Sequence, residues 1–444
     1  MSIKKSFLSS PGRTVLISIV ATIFIGTFLL ALPAAQVLSH SFIDLLFTAT
    51  SATCVTGLLT IQLTEFTTFG HVIILALMQI GGLGLITLTV FFMSLFVELG
   101  LGTQLMAGQV LEIENWKRSK KIIGFIIGLT LTMELVGTVL IFFTAGAQGS
   151  IQHSLFLAFF HAVSSFCSAG FTLFPGKMLL FKTNILFLGI TTILMLVGEL
   201  GFITWHEIIL YIKSLKHRRH FNLSLHSKLV LSITGFLVTF SACIIWLLER
   251  THGFSSMTGV QTFANVLFNT ISYRSTGFTT LDITTIHLAT FFLIMVIAFI
   301  GSSPGSTGSG IKTTTFAIFL ATVRAVVMGR TVVEIKGRRI PNDQVFKAMA
   351  ILSLSISWVA ITTFCLLITE EGWRFVDIMF EAFSAFSNLG LSTGLTPDLS
   401  LPGKIIIIAT MIIGRIGSLT VILAFKRHYE KTEFHYPEER VMMS

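Results

Sequence analysis

Eight apolar stretches, each near or above the ~20 residues that a membrane-spanning helix needs, constrain the fold of this chain most strongly. They cover residues 14–32, 70–97, 122–145, 183–211, 229–248, 286–328, 348–369 and 404–425. Only 11% of the 444 residues are charged, which is about half the fraction in an ordinary soluble domain. The chain lacks the polar surface of a water-soluble fold. The sequence therefore predicts an all-α polytopic membrane protein with eight transmembrane helices.

Lysine and arginine are distributed unevenly among the connections between these stretches. The connections 1–13, 98–121, 212–228, 329–347 and 426–444 hold 21 of them, and the alternate connections hold five. The positive-inside rule then places both termini of this multi-pass protein in the cytoplasm. We expect the protein to lie in the plasma (inner) membrane, surrounded by lipid. The net charge of +9 is explained by this topology, so no nucleic-acid partner is inferred.

The four outer connections share one pattern. Each contains a short amphipathic segment that begins at a phenylalanine and ends in small residues and a glycine: residues 47–58, 160–171, 268–278 and 380–391. The glycines are Gly57, Gly170, Gly277 and Gly390, at intervals of 113, 107 and 113 residues. The phenylalanine precedes the glycine by ten positions in three copies and by nine in the third. Such self-similarity indicates one supersecondary unit used four times.

The repeated unit is predicted to consist of a helix, a pore helix that enters the membrane only halfway, an extended segment with a glycine, and a second helix. The predicted repeats are 14–98, 121–211, 229–328 (with a broken second helix) and 345–425, between cytoplasmic segments 1–13 and 426–444. Non-helical backbone at membrane depth is tolerated only where protein buries it or water bathes it. Four such loops therefore predict a pseudo-fourfold arrangement of the repeats around one water-filled pore.

These four glycine segments and the eight-stretch layout resemble the Trk/Ktr/HKT superfamily of potassium transporters over essentially the whole chain. The layout is more similar to the membrane subunit of the Ktr type than to the longer Trk type. The resemblance implies transport of K⁺, with Na⁺ as a candidate stimulator, and no enzymatic activity. It also implies a homodimer with one pore per subunit and a cytosolic ring of nucleotide-binding regulatory subunits on a separate chain.

The expected selectivity filter consists of each repeated glycine and the two residues before it. Backbone carbonyls can replace the hydration shell of K⁺, and glycine permits the dihedrals that such a loop needs. The twelve residues are Val55, Thr56, Gly57, Ser168, Ala169, Gly170, Ser275, Thr276, Gly277, Asn388, Leu389 and Gly390. In the plant branch of the superfamily, serine at the first glycine goes with sodium permeation, so Gly57 favours potassium.

The sixth apolar stretch is interrupted by residues 301–312, which are too rich in glycine and serine to form a stable helix. This segment resembles the intramembrane gating loop of the superfamily. Arg415 lies deep in the eighth stretch, and the resemblance implies that it narrows the pore and touches the loop; a structural bond to carbonyls at a helix break is the alternative. The expected gating residues are Gly301, Gly305, Gly308, Gly310, Lys312 and Arg415.

Other charged residues receive structural interpretations. Arg274, three residues before Gly277, is expected to pair behind the filter with a carboxylate such as Glu381. Asp44 and Asp377 lie where pore helices should begin and suit the helix dipole. Packing or interface roles are expected for Glu134, Glu199, His206 and Glu207.

The basic inner connection 212–228, which includes Lys216, Arg218 and Arg219, is expected to dock the regulatory ring, although topology alone also explains its charge.

Two other function classes compete with a potassium pore. A secondary transporter coupled to sodium or protons would bind its ions at the midplane, at broken helices within an inverted repeat. All four glycine segments instead lie in connections on the same predicted side. An intramembrane enzyme would need a convergent nucleophile, base or metal set, and the sequence offers none.

Overall fold

The computed structural model describes residues 11–84, 116–146, 149–174, 176–216 and 221–417, together with Pro437 and Glu439. These residues are mostly helical. The helices are α1 (Pro11–Leu30), α2 (Phe42–Cys54), α3 (Thr68–Leu83), α4 (Trp116–Thr144), α5 (Ile151–Phe166), α6 (Ile185–Glu199), α7 (Phe202–Lys216), α8 (Leu225–Glu249), α9 (Gly259–Ser275), α10 (Leu288–Ile300), α11 (Thr313–Val327), α12 (Asn342–Thr369), α13 (Phe375–Ser387), α14 (Leu395–Asp398) and α15 (Leu401–Ile416). One hairpin pairs β1 (Glu334–Ile335) with β2 (Arg338–Arg339).

Each of the eight apolar stretches contains a helix, but the count of eight spans stays a prediction. Within the described ranges, three helices are long and apolar enough to cross a bilayer: α4 from Ile122, α8 and α12. The pair α6 and α7 adds a fourth span if it is counted as one. Helices α3 and α15 end next to residues outside the described ranges, so the full extent of these two stretches is not defined here.

Helices α6 and α7 meet at a bend of 102°, whereas the sequence predicted one uninterrupted span over 183–211. The bend follows from Gly201, whose φ of +87° lies in the left-handed region that glycine adopts readily. The freed backbone is satisfied elsewhere, because the Phe202 amide donates to the Gly305 carbonyl at 2.9 Å. The glycine-rich segment 301–312 similarly separates α10 from α11.

Hydroxyl side chains determine where three of the four short helices in the outer connections begin. Ser41, Ser150 and Thr258 each accept a hydrogen bond from a backbone amide in the first turn of α2, α5 and α9. Caps of this kind stabilise a helix by about 1 kcal/mol. In the fourth short helix, α13, the N-cap residue is Arg374, and its side chain makes no capping hydrogen bond.

The short helices α2, α5, α9 and α13 form the centre of the molecule. Each packs against the long helix before it and the helix after it. The phenylalanine that opens each repeated segment is buried in all four copies: Phe47, Phe160, Phe268 and Phe380. The same positions thus anchor the core of every unit, and the recurrence in the sequence has a physical reason.

Packing between units follows a closed order. The helix after each short helix also packs against the short helix of the next unit: α3 on α5, α6 on α9, α10 on α13, and α15 on α2. The long first helices lie outside this arrangement and expose large apolar side chains such as Phe28, Leu135, Phe236 and Phe364. Exposed apolar surface of this extent is typical of contact with lipid, so the chain is a membrane-embedded, multi-pass protein.

Candidate functional site

The four repeated glycines share one unusual backbone conformation. Gly57, Gly170, Gly277 and Gly390 have φ angles of +98°, +73°, +77° and +85°. Residues with side chains rarely adopt this region, so glycine is required at each position by the path of the chain. We call the three residues that end at each glycine a glycine loop: 55–57, 168–170, 275–277 and 388–390.

Three of the glycine loops begin with the same helix cap. Val55, Ser168 and Asn388 follow the ends of their helices in the left-handed region. The amide after each donates to a carbonyl five residues back, as Thr56 does to Ser51 at 2.8 Å. This is the hydrogen bond of a Schellman cap. A β-branched residue such as Val55 is strained there by roughly 1–3 kcal/mol, and such strain concentrates at functional sites.

The third glycine loop is built differently because its segment is one residue shorter. Ser275 is still helical, and Thr276 has a φ of −101° and no left-handed geometry. Here the Gly277 amide itself donates to the Ser272 carbonyl at 2.9 Å. The spacing of nine rather than ten between Phe268 and Gly277 thus removes the cap residue of the other copies.

The four glycine loops touch one another in a closed sequence. A methyl group added at Gly57 would lie 2.8 Å from the carbonyl oxygen of Ala169 in the second loop. A methyl group on Gly170 would press on the Thr276 carbonyl. One on Gly277 would press on the Leu389 carbonyl, and one on Gly390 would press on the Thr56 carbonyl. Each glycine therefore lies against the residue before the next glycine, and the fourth loop meets the first.

Arg274 corrects one expectation from the sequence. Its partner is Glu199, with Nη1 3.1 Å from Oε2, and both side chains are buried. Glu381 instead accepts a hydrogen bond from Thr396. Glu381 lies on α13, whereas Glu199 ends α6, the helix that packs against α9 from the preceding unit. The sequence predicts only a packing or interface role for Glu199, although its place inside the cluster Gly198–Gly201 was a signal for a position near the pore loops.

The 301–312 segment lies against the second unit. The Thr307 hydroxyl donates to the Phe166 carbonyl at 3.0 Å and lies 3.3 Å from the Ser168 hydroxyl. A methyl group on Gly308 would press on the Ser275 hydroxyl. The segment therefore contacts the second and third glycine loops directly.

Arg415 joins this segment to the first unit. Its Nη1 donates to the Thr307 carbonyl at 2.5 Å and lies 3.1 Å from the Ser309 hydroxyl, and Nη2 donates to the Gly81 carbonyl. Lys312 donates from Nζ to the Gly308 carbonyl at 2.7 Å. Two basic side chains thus bond the backbone of the segment. Arg415 touches the segment as the gating interpretation expects, and its bond to the Gly81 carbonyl near the end of α3 also fits the structural alternative.

Other intramembrane carboxylates lie in polar surroundings of their own. Glu134 accepts a hydrogen bond from Gln79 at 3.2 Å and lies close to Cys167, the residue before the second glycine loop. Glu207 accepts from the amide and hydroxyl of Ser224. In the basic connection, Lys216 ends α7, while Arg218 and Arg219 lie outside the described residues.

At the beginning of the first short helix, Asp44 in the first turn of α2 pairs with Lys404 of α15 at 2.6 Å. Burial alone would raise the pKa of Asp44, but hydrogen bonds from Lys404 and Ser41 outweigh it and hold the pKa below its ordinary value. Asp377 pairs in the same position of α13 with Arg374. Both carboxylates lie at helix N-termini, where a negative charge is favourable.

The lowered pKa of Asp44 predicts a pH-dependent contribution to stability. A depressed folded-state pKa stabilises the protein above the unfolded value of about 4, and the contribution is lost as pH falls through the folded-state pKa. Asp44→Asn should therefore lower the melting temperature in detergent at pH 7, and the difference from the parent should shrink below about pH 4. Asp343→Asn, which removes an exposed pair with Lys347, is the control. Identical melting curves of Asp44→Asn and parent across this range would contradict the prediction.

Comparison with known proteins identifies the family. The family model described as "TrkH: Cation transport protein" matches residues 10–435. The chain belongs to the TrkH cation transport protein family. It is therefore a cation transporter and not an enzyme, and the resemblance to the Trk/Ktr/HKT superfamily is confirmed.

Relatives of this TrkH-family chain match it nearly end to end. It is 36% identical to "Ktr system potassium uptake protein B" of Vibrio alginolyticus, over 97% of this chain and 94% of the relative. It is 33% identical to "Potassium/sodium uptake protein NtpJ" of Enterococcus hirae, over 98% of this chain and 97% of the relative. The crystal structure of the potassium transporter TrkH from Vibrio parahaemolyticus matches with a TM-score of 0.69 at 20% identity, over 92% of this chain and 84% of that chain. This last likeness shows a common fold.

Proposed function

We propose that the chain is the ion-translocating membrane subunit of a potassium uptake system, and that K⁺ passes through the ring formed by the four glycine loops. The closed order of contacts among these loops carries the proposal. Four backbone segments that meet in a cycle can present carbonyl oxygens to one axis, as K⁺ coordination requires. The full-length relatives named as potassium uptake proteins support the choice of ion.

In this proposal the four repeats 14–98, 121–211, 229–328 and 345–425 surround the pore in pseudo-fourfold order. The packing of each unit's last helix on the next short helix, closed by α15 on α2, supports that order. It also argues against a sodium- or proton-coupled transporter with an inverted repeat, since the units follow one another in the same sense.

The 301–312 segment is the gate of the proposed pore. It contacts two glycine loops and is held by Arg415, whose guanidinium group binds its backbone and the Gly81 carbonyl. The segment has no helical structure, so a second shape would require it to exchange the hydrogen bonds that now hold it, such as those to Glu199, Phe166 and Arg415. A regulator that favours one of two such shapes would switch conduction.

Partners follow from the same assignment. We propose a homodimer in the plasma membrane with both termini in the cytoplasm, bound to a cytosolic nucleotide-binding ring on a separate chain. The basic inner connections, including 212–228, support this orientation and offer a surface for the ring. Na⁺ remains a candidate stimulator of K⁺ uptake.

Ion flux in reconstituted liposomes tests the proposal. Purified protein should carry K⁺ and Rb⁺ down their gradients, with Na⁺ competing weakly, and no Na⁺ or proton gradient should be needed to drive uptake. Liposomes without protein give the leak to subtract. K⁺ uptake that stops when the Na⁺ or proton gradient is collapsed would favour the coupled transporter. Equal flux of K⁺ and Na⁺ would contradict a potassium filter.

A further inference from the structure

The buried pair of Glu199 and Arg274 lies between the third glycine loop and the 301–312 segment. Arg274 is in the last turn of α9, and Glu199 is the last residue of α6. Their side chains are 1% and 0% exposed. Taking two charges out of water is costly, and a hydrophobic pair of similar size often stabilises a fold as well. The stability of the fold is thus a weak explanation for the pair.

One side of the pair holds the third glycine loop. The hydroxyls of Ser275 and Thr276 lie 3.4 and 3.5 Å from Oε1 of Glu199, in donor geometry. This loop lacks the left-handed cap found in the other three. The carboxylate therefore supplies a support that the shorter backbone does not supply.

The other side of the pair holds the start of the 301–312 segment. Arg274 donates from Nη2 to the Gly301 carbonyl at 3.2 Å. The Ser303 amide donates to the backbone carbonyl of Glu199 at 3.2 Å. Movement of the segment must therefore break or lengthen bonds to the same two residues that support the loop.

The pair itself is incompletely bonded. The contact between Nη1 and Oε2 is an ion pair at 3.1 Å without aligned hydrogen-bond geometry, and among the described residues Nε of Arg274 has no hydrogen-bond partner. Buried polar groups are usually satisfied, and spare donors allow a guanidinium group to exchange one acceptor for another. Such an arrangement suits a contact that is remade when its neighbours move.

We infer that the Glu199–Arg274 pair couples the gate to the filter, so that the ion preference of the third glycine loop depends on the position of the 301–312 segment. The inference rests on the proposed function of both elements. Arg274 and Glu199 act as positioning residues, because they touch the loop and the segment and not the ion. When the segment withdraws, Gly301 and Ser303 release the pair, and the support of Ser275 and Thr276 changes with it.

Glu199→Gln tests this inference, since it keeps the size of the side chain and removes the charge. We expect the preference for K⁺ over Na⁺ in liposome flux to fall by roughly three- to tenfold, which lies in the lower part of the range for interacting neighbours. Arg415→Ala, which frees the segment, should change the ion preference of the parent and have a smaller effect on that of Glu199→Gln. Glu249→Gln is the control, because Glu249 is also buried but bonds Thr290 and His287 at the outer end of α8.

The possible outcomes distinguish failure of the coupling from failure of the proposed function on which it rests. Absence of K⁺-selective flux in the parent would overturn the proposed function. A selective parent in which Glu199→Gln conducts with unchanged ion preference, or in which the two substitutions act additively, would overturn the coupling alone. If Glu199→Gln does not fold, Arg274→Lys keeps the positive charge, loses the fork of donors, and should show the same non-additivity with Arg415→Ala.

Discussion

Replacing Arg415 by alanine should raise K⁺ flux without the regulatory partner by about tenfold or more. Two unit charges roughly 6 Å apart repel by about 3 kcal/mol at an effective dielectric constant of 20, and a tenfold change in rate needs about 1.4 kcal/mol. The substitution also removes the bonds to the Thr307 and Gly81 carbonyls that hold the 301–312 segment in place. Both effects act in the same direction, towards an open pore.

Two further variants distinguish the effect of the positive charge from the effect of shortening an arginine side chain. Arg415→Lys keeps the positive charge and should keep flux low, because the ion still meets repulsion. Arg250→Ala removes an exposed cation that lies over Trp246 at the end of α8, and it should leave flux unchanged. Liposome flux with and without the cytosolic partner is the measurement. A folded Arg415→Ala protein with equal or lower flux would show that this arginine has a structural role.

Replacing Gly57 by serine should lower the preference for K⁺ over Na⁺ by about tenfold, or about 1.4 kcal/mol. The side chain would meet the Ala169 carbonyl of the second loop, 2.8 Å from the added Cβ atom. The φ of +98° adds strain of roughly 1–2 kcal/mol for any residue with a Cβ. Relief of the steric contact or of the backbone strain would move carbonyls in two neighbouring loops at once.

A second glycine provides a matched control for Gly57→Ser. Gly372 has a φ of +90°, and an added Cβ would meet nothing within 4 Å. Gly372→Ser therefore carries the backbone strain without the contact between loops, and should lower stability while leaving ion preference intact. Competitive uptake in a host that lacks its own potassium uptake gives the preference. An unchanged preference in stably expressed Gly57→Ser would remove Gly57 from the filter.

The recurring elements could be predicted from the sequence because the physical constraint recurs with them. The four phenylalanines are buried in equivalent places, and the four glycines all need positive φ. The interruption of the sixth apolar stretch could also be predicted, since ten residues rich in glycine and serine do not form a stable helix.

What escaped prediction depends on contacts between distant parts of the chain. The bend at Gly201 is stabilised by a hydrogen bond from the Phe202 amide to Gly305, about one hundred residues away. The glycine cluster marks where the helix ends, since Gly84 and Gly417 also have positive φ where α3 and α15 end, but it does not give the angle at which the next helix continues.

For Arg274 the sequence predicts a carboxylate such as Glu381, but its partner Glu199 comes from the unit before. Choosing between two buried carboxylates requires the packing of α6 on α9, which the repeat pattern alone does not give.

The third glycine loop, one residue shorter than the others and without their left-handed cap, shows what a single polypeptide permits. In an assembly of identical subunits, any deletion is copied into every quarter of the ring, and the symmetric opening changes everywhere together. Here one of the four segments is a residue shorter than the others, and hydroxyls of its loop lie within hydrogen-bond distance of a buried carboxylate from the neighbouring unit. Because all four loops belong to one polypeptide, each of them can vary in sequence and length without a matching change in the other three.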